Sequence, residues 1–146
     1  MLKVGVIGLR RGNNFLTMFS KHPECKVVAV CDQMPERVER AAREWNIPGA
    51  YGDFEQFLNH DLDVVVIATP PAFHVEQSIA ALKSGRHVLS EVPAATSLEE
   101  CRALARAVKG SSAKYMMGAN PNFWAFIESW REMVRQGRLG QIIYGE

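Results

Sequence analysis

The sequence predicts a single α/β domain in which helices cover both faces of a parallel sheet, the doubly wound architecture. Short runs of β-branched residues alternate with segments of helical periodicity, which is typical of right-handed βαβ units. Two of the runs, KVVAVCD and DVVVIAT, are apolar on both faces, as strands between two helical layers must be. The 146 residues, 47% of them hydrophobic, are enough to bury one sizeable core.

Five runs are predicted to be strands, and the expected order of the sheet is 3-2-1-4-5-6. In this order residues 63–68 form the fourth strand, and no run is assigned to the third. The predicted strands are residues 2–7, 26–31, 63–68, 87–89 and 114–118. Because ligands of doubly wound sheets bind beyond the carboxyl ends of the strands, we expect the functional site at that edge.

The helices between these strands have recognisable starts and ends. Pro35 suits the first turn of a helix, because its fixed φ matches the helix and its missing N–H is not needed there. Gly85 ends the helix that follows residues 63–68. Ser97 with Glu100 forms a capping-box pattern at the start of another helix.

Composition excludes several classes of partner. Lys and Arg total 17 against 16 Asp and Glu, spread along the chain, so we expect no nucleic-acid partner. No 18-residue apolar window exists, so no membrane partner is expected. Cys25, Cys31 and Cys101 lie far apart without metal-ligand spacing, which predicts reduced core thiols, no metal and a cytoplasmic location. A small molecule is the expected partner.

The stretch VGVIGLRRGNNF joins the first strand to the first helix and resembles a phosphate-binding turn. In the fingerprint GxGxxG, Gly8 is the first glycine, Arg10 stands at the second and Asn13 at the third, with Gly12 one place early. The side chain of Arg10 must therefore point away or reach the phosphates as a cation. The motif alone fits either a nucleotide site or a tight strand-to-helix turn.

Asp32 ends the second strand, where a dinucleotide-binding domain holds the adenosine ribose. A carboxylate at this place accepts hydrogen bonds from both ribose hydroxyls and repels a 2′-phosphate. The alternative is an aspartate that caps the next helix. With the Gly8 turn and the strand order, Asp32 favours NAD over NADP as the cofactor.

Residues 61–100 resemble the central signature of the glucose-fructose oxidoreductase, inositol dehydrogenase and rhizopine-catabolism (Gfo/Idh/MocA) family. The run is DLDVVVIATPPAFHVEQSIAALKSGRHVLSEVPAATSLEE, with a buried strand, a Thr-Pro turn, His74, an amphipathic helix, Gly-x-His-Val and Glu-x-Pro. The opening strand, Asp32 and GRLGQI extend the resemblance over nearly the whole chain. It implies an NAD-binding Rossmann domain over residues 1–120.

In this family a larger α+β domain follows, which binds substrate and mediates oligomerisation. The resemblance implies that residues 121–146 are a linking helix and the first strand, GQIIYGE, of such a domain in truncated form. The helix carries a broad aromatic face that we interpret as core or interface, and we expect the chain to cover it by forming a homo-oligomer. Its residues are Phe123, Phe126, Ile127, Trp130, Met133 and Val134.

The resemblance also implies a set of cofactor-binding residues along the carboxyl edge of the sheet. Pro70 and Pro71 line the nicotinamide side or only shape a turn, and the ring of His74 bonds a ribose or the loop. Asn120 touches nicotinamide or substrate or is a plain turn residue, and Pro93 is often a cis-proline in the family. The set is Gly8, Leu9, Arg10, Arg11, Gly12, Asn13, Asp32, Ala68, Thr69, Pro70, Pro71, His74, Glu91, Val92, Pro93 and Asn120.

The family pattern fails at Val92. Most dehydrogenases of the family have Glu-Lys-Pro where this chain has Glu-Val-Pro, and valine has neither a charge nor a proton to exchange. The catalytic residue is therefore unassigned, with Glu91 and His74 in supporting roles. Either a residue outside this domain acts as the base, or the protein binds NAD without catalysis, or it belongs with relatives that show Glu-Val-Pro, among them NAD-dependent glycosidases.

The expected function is that of an oxidoreductase domain that transfers hydride between a nicotinamide cofactor and a sugar, cyclitol or polyol. Its partners are then a dinucleotide and a carbohydrate-like substrate, and this chain alone is expected to be inactive. The alternatives are a glycosidase that oxidises its sugar transiently and a non-catalytic dinucleotide-binding or regulatory module.

Overall fold

The computed structural model describes residues 1–144. It contains one six-stranded sheet in the order β3-β2-β1-β4-β5-β6, and each pair of neighbouring strands is parallel. The predicted doubly wound architecture and strand order are confirmed. The strands are β1 (Leu2–Ile7), β2 (Cys25–Cys31), β3 (Gly49–Tyr51), β4 (Val64–Ile67), β5 (His87–Ser90) and β6 (Tyr115–Met117).

The helices begin and end close to where local signals predict. Pro35 stands in the first turn of its helix, and the hydroxyl of Ser97 accepts the backbone N–H of Glu100 at 3.1 Å. The Glu100 carboxylate accepts the N–H and O–H of Thr96, both at 2.7 Å, so the second half of the capping box lies one residue early. The helices are α1 (Leu9–Ser20), α2 (Pro35–Trp45), α3 (Phe54–Leu58), α4 (His74–Lys83), α5 (Leu98–Lys109) and α6 (Ala125–Arg135).

The third strand, which no run of the sequence identified, is the edge strand β3. It has three residues and pairs with the end of β2, from Ala29 opposite Gly49 to Cys31 opposite Tyr51. Pro48 precedes it and Gly52 follows it, so the local sequence has the composition of a turn. Pairing with β2 overrides that local preference.

The sheet separates two apolar cores, one on each face. Val65 and Ile67 of β4 pack in one core around Phe57, and Val66 packs in the other with Val4. All five residues are 0% exposed. This alternation explains why β4 is apolar at every position.

The cysteines differ in environment. Cys31 is buried, Cys25 is half-buried and Cys101 is exposed on α5, so only Cys31 is the core thiol that the sequence predicted for all three. Burial raises the pKa of the Cys31 thiol to about 12, and the negative charge of the neighbouring Asp32 adds to the effect. Cys31 is therefore a protonated, unreactive thiol at neutral pH.

The described residues contain neither a membrane-spanning helix nor a metal-binding cluster. No helix among residues 1–144 is long and apolar enough to cross a membrane. Within the same residues, no group of His, Cys, Asp and Glu side chains is arranged to hold a metal ion.

The predicted aromatic helix is formed as α6, and its apolar face is largely open to solvent. Phe126 packs against Trp124 in a tilted arrangement and against Trp130 edge to face, with ring centroids 5.5 and 5.2 Å apart, but all three residues stay about half exposed. The strand predicted within GQIIYGE is not formed at residues 141–144, and Gly145 and Glu146 lie outside the described residues. A strand needs a neighbour to pair with, and residues 1–144 provide none at this place.

The turn between β1 and α1 lies directly against the end of β4. Gly8 has φ 87°, and a Cβ atom at this position would lie 2.5 Å from the backbone of Ala68 and Thr69. Only glycine combines this backbone conformation with so close an approach. The contact brings the first turn of α1 and the loop after β4 to the same edge of the sheet.

We predict that Gly8→Ala lowers the free energy of unfolding by at least about 3 kcal/mol, because it adds a backbone clash to the strain of a positive φ. Gly85→Ala is the matched control, since Gly85 has φ 81° with no atom near its absent Cβ, and it should cost about 1 kcal/mol. Urea denaturation measures both. Equal losses in the free energy of unfolding for Gly8→Ala and Gly85→Ala would contradict the role given to the close approach at Gly8.

Candidate functional site

A cleft of about 1050 Å³ runs along the carboxyl ends of β1, β2 and β4. Its volume is that of a site for a large organic ligand. Eight of the sequence-predicted site residues line it: Gly8, Arg10, Arg11, Asp32, Ala68, Thr69, Pro70 and Pro71. The sequence interpretation missed further lining residues, among them Asn14, Gln33, Met34, Arg37, Gly52, Asp53, Phe54, Phe73 and Gln77.

The glycine turn is built from two glycines rather than three. Gly8 caps α1 in the left-handed conformation, and its carbonyl accepts the N–H of Gly12 at 2.8 Å. Gly12 is buried, and a Cβ there would lie 2.8 Å from Val6 Cγ1. Gly12 thus permits the close packing of helix on strand that the third glycine of the fingerprint provides. Asn13, which the template aligned with that glycine, is half-buried and does not line the cleft.

Asp32 ties this turn to the end of β2. Its carboxylate is 8% exposed, and Oδ2 accepts the N–H of Leu9 at 2.7 Å. The other oxygen, Oδ1, accepts the N–H of Met34 at 2.9 Å and lies 3.5 Å from Nη1 of Arg37. The bond to Met34 holds the residue that precedes α2, but Asp32 does not cap that helix, because the N-cap residue is Met34 and the helix has no side-chain cap. The bond to Leu9 also fixes the edge of the cleft, and a carboxylate can accept further hydrogen bonds.

Two arginines stand in the first turn of α1, which contains no acidic residue. This arrangement is the reverse of what a helix dipole favours, because the start of a helix attracts anions. Arg11 is compensated by Glu91, with its Nε 2.5 Å from Oε1. Arg10 is exposed, lines the cleft and has no ion-pair partner among residues 1–144. The geometry therefore leaves one unpaired cation where an anionic ligand would be held.

Glu91 is a buried carboxylate with both oxygens engaged. It is 6% exposed, and it follows β5 with its backbone N–H bonded to Ile67 O at 2.8 Å. Oε1 accepts the Arg11 guanidinium and Oε2 accepts the N–H of Val92 at 3.1 Å. The carboxylate thereby links the start of α1 to the loop after β5.

His74 is 1% exposed at the start of α4. Its Nδ1 lies 2.8 Å from the carbonyl oxygen of Pro93, and its Nε2 lies 2.8 Å from that of Thr69. Of the two roles that the sequence left open for the ring, the hydrogen bond to the loop is the one formed. The peptide bond between Val92 and Pro93 is cis, as the resemblance implied.

Asn120 lies apart from the cleft. It is exposed at the start of a 3-10 helix after β6, and its backbone N–H donates to Gly118 O at 3.0 Å. Its position at the carboxyl edge of the sheet is as predicted, and a role toward nicotinamide or substrate stays a prediction.

Within residues 1–144, the loops after β4 and β5 present no free proton acceptor of the kind the reaction of a dehydrogenase needs. The ring of His74 faces two carbonyl groups, and the carboxylate of Glu91 faces a guanidinium. Val92 is 48% exposed at the position of the family lysine and carries no ionisable group. These loops are equipped to shape and orient a ligand rather than to take its proton.

Comparison with known proteins agrees with this geometry. The family model described as "Oxidoreductase family, NAD-binding Rossmann fold" (GFO_IDH_MocA) matches residues 2–119. A glycosyl hydrolase family 109 protein of Streptomyces coelicolor is 34% identical over 99% of this chain and 33% of its own length. An alpha-N-acetylgalactosaminidase of Shewanella oneidensis is 30% identical over 100% of this chain and 34% of its own. The chain thus spans about a third of the length of these relatives.

Among solved structures, scyllo-inositol dehydrogenase from Lactobacillus casei with bound NAD(H) and scyllo-inositol superposes with a TM-score of 0.93. The two chains are 28% identical, and the match covers 97% of this chain and 43% of the dehydrogenase. The family model covers all six strands of the sheet and the whole of the cleft described above. This chain belongs to the Gfo/Idh/MocA oxidoreductase family and forms its NAD-binding Rossmann domain.

Proposed function

We propose that the chain holds NAD(H) along the carboxyl edge of its sheet, with adenosine at Asp32 and pyrophosphate at the first turn of α1. The nicotinamide end then lies toward residues 69–71 and 91–93. One contact carries this proposal: the Asp32 carboxylate, at the end of β2, accepts the N–H of Leu9 in the glycine turn. This contact joins the ribose-binding and phosphate-binding positions of a dinucleotide site.

The residues present fit the cofactor in shape and charge. The absence of a side chain at Gly8 lets the turn approach the backbone of β4, and the cleft has the volume for a large ligand. Asp32 offers a carboxylate for ribose hydroxyls, and the adjacent start of α1 offers Arg10, which has no ion-pair partner among residues 1–144, for a diphosphate.

At the phosphate position, Arg10 replaces the second glycine of the fingerprint. That glycine normally lets the backbone approach the pyrophosphate, so a side chain in its place must contribute to the binding itself. We assign this contribution to the Arg10 guanidinium, whose neighbour Arg11 is already paired with Glu91. Charge-assisted hydrogen bonds from arginine to phosphate are strong and can be bidentate.

At the nicotinamide end the protein orients the nicotinamide ring, and NAD supplies the redox chemistry when bound. The residues of this chain shape the loops, and the base that takes the substrate's hydroxyl proton comes from outside them. For the whole protein we propose an oxidoreductase acting on a sugar, cyclitol or polyol hydroxyl. The structural similarity to an inositol dehydrogenase supports this substrate class.

A second candidate is a glycosidase that oxidises its sugar transiently and returns the hydride. Val92 in place of the family lysine favours it, together with relatives named glycosyl hydrolase family 109 protein and alpha-N-acetylgalactosaminidase. Such an enzyme needs the same dinucleotide site, so the domain described here serves either reaction.

Two further expectations remain predictions. Self-association is supported by the exposed aromatic residues Phe126 and Trp130 of α6 and Trp124 directly before it. A cytoplasmic location is supported by the three free cysteines.

The complete gene product should form NADH from NAD⁺ with at least one member of a panel of inositols, sugars and polyols. This chain alone should bind NADH without turnover. Hydrolysis of nitrophenyl glycosides without added NAD, in the absence of net NADH formation, would instead select the glycosidase. Net NADH formation that appears only in Val92→Lys would show that dehydrogenase chemistry has been lost and would contradict the leading proposal.

We predict that Asp32→Asn weakens NADH binding by about tenfold, because the neutral amide accepts fewer hydrogen bonds from the ribose. The preference for NADH over NADPH should also shrink, since the negative charge that repels the 2′-phosphate is gone while Arg37 remains nearby. Calorimetric titration with NADH and NADPH measures the ratio of the two affinities. Tighter binding of NADPH than NADH by the unchanged protein would overturn the role given to Asp32.

For Arg10→Ala we expect about tenfold weaker NADH binding at low salt. The difference in NADH affinity between this variant and the unchanged protein should become smaller as ionic strength rises. Salt screens the attraction between guanidinium and phosphate, which only the unchanged protein has. Arg40→Ala is the control, since Arg40 is an exposed residue of α2 that does not line the cleft. A loss of NADH affinity that is the same in both variants, or that does not change with salt, would argue against a phosphate contact at Arg10.

A further inference from the structure

His74 is a buried titratable side chain to which the proposed chemistry gives no task. It is 1% exposed and ranks among the largest fully buried side chains of the described residues. It begins α4, directly after the 3-10 turn Pro71–Phe73. A polar ring this deeply buried must have its hydrogen bonds satisfied within the protein.

Both ring nitrogens are used, and each holds a different loop. Nε2 faces the carbonyl oxygen of Thr69 in the loop after β4, and Nδ1 faces that of Pro93 in the loop after β5, each at 2.8 Å. Which nitrogen carries the N–H depends on the tautomer of the ring, and each nitrogen lies at hydrogen-bond distance from its own carbonyl oxygen. The width of the ring sets the separation of the two loops.

Other contacts fix the same two loops at their origin. The backbone N–H of Glu91 donates to Ile67 O at 2.8 Å, so the loops leave β4 and β5 side by side. The hydroxyl of Thr69 donates to Oε1 of Gln77 at 2.7 Å, one turn beyond His74 on α4. The first two turns of α4 therefore hold Thr69 by its backbone and by its side chain.

We infer that His74 is a positioning residue for the nicotinamide end of the cofactor, an inference that rests on the proposed function. The ring has no free nitrogen for a ligand, and it acts through the two loops that it joins. With both loops held in place before binding, the nicotinamide ring enters a formed site, and binding needs less ordering of the chain.

This role makes a selective prediction about ligands. ADP-ribose contains the adenosine, pyrophosphate and second ribose of NAD but lacks nicotinamide. In the proposed arrangement its adenosine lies at Asp32 and its pyrophosphate at the first turn of α1, and it has no nicotinamide ring to contact the loops that His74 joins. Loss of the bridge should therefore weaken NADH binding and leave ADP-ribose binding unchanged.

The test compares NADH and ADP-ribose by calorimetric titration of His74→Gln, in which a single amide nitrogen takes the place of two ring nitrogens that face different loops. NADH should bind about tenfold more weakly, and ADP-ribose should change by less than about twofold. Ser78→Ala is the matched control, because Ser78 is 0% exposed on the same helix and its hydroxyl has no partner among the described residues. It should change neither affinity. Equal losses of affinity for NADH and ADP-ribose in His74→Gln, or no loss of affinity for NADH, would overturn the inference.

A second measurement uses the unchanged protein, so it does not depend on the folding of a variant. The ring ¹⁵N resonances of His74, followed by NMR, should shift when NADH is added and stay in place with ADP-ribose. No shift with NADH would contradict the inference. If the unchanged protein binds neither ligand, the proposed dinucleotide site itself fails, whereas binding of both without the selective loss refutes only the role of His74.

Discussion

The close approach of the Gly8 turn to the end of β4 is the constraint on which the rest of the site depends. β1 and β4 are neighbours at the centre of the sheet, and the chain must leave β1 for α1 over the backbone of Ala68 and Thr69. A side chain at Gly8 would separate the two. Without that contact the start of α1 would lie farther from the loop after β4, and the cleft that both line would change shape.

A series of hydrogen bonds then connects the strand ends along this edge. Asp32 joins the end of β2 to the start of α1, Arg11 and Glu91 join α1 to the loop after β5, and His74 joins that loop to the loop after β4. Asp32, Glu91 and His74 are buried polar groups that would destabilise the fold if they were unpaired. Their pairing makes the cleft a largely formed site, and Arg10, which lines it, has no ion-pair partner among residues 1–144.

The architecture could be predicted because β-branched runs, helix caps and the βαβ alternation are local signals. β3 could not, because three residues between Pro48 and Gly52 carry no strand pattern. The fixed spacing of the fingerprint puts Asn13 at the third glycine, whereas packing on Val6 leaves no room for a side chain at Gly12, one place earlier. The pair Arg11 and Glu91 lies 80 residues apart in sequence, so only the folded sheet brings it together.

The central claim is that one edge of the sheet holds NAD from Asp32 to the loops after β4 and β5. A crystal structure of this chain with NAD⁺ tests it most directly. We expect the adenosine ribose against the Asp32 carboxylate, the pyrophosphate at the first turn of α1 within reach of Arg10, and nicotinamide beside Thr69. A dinucleotide bound at another face, or bound with its phosphates away from α1, would contradict the account.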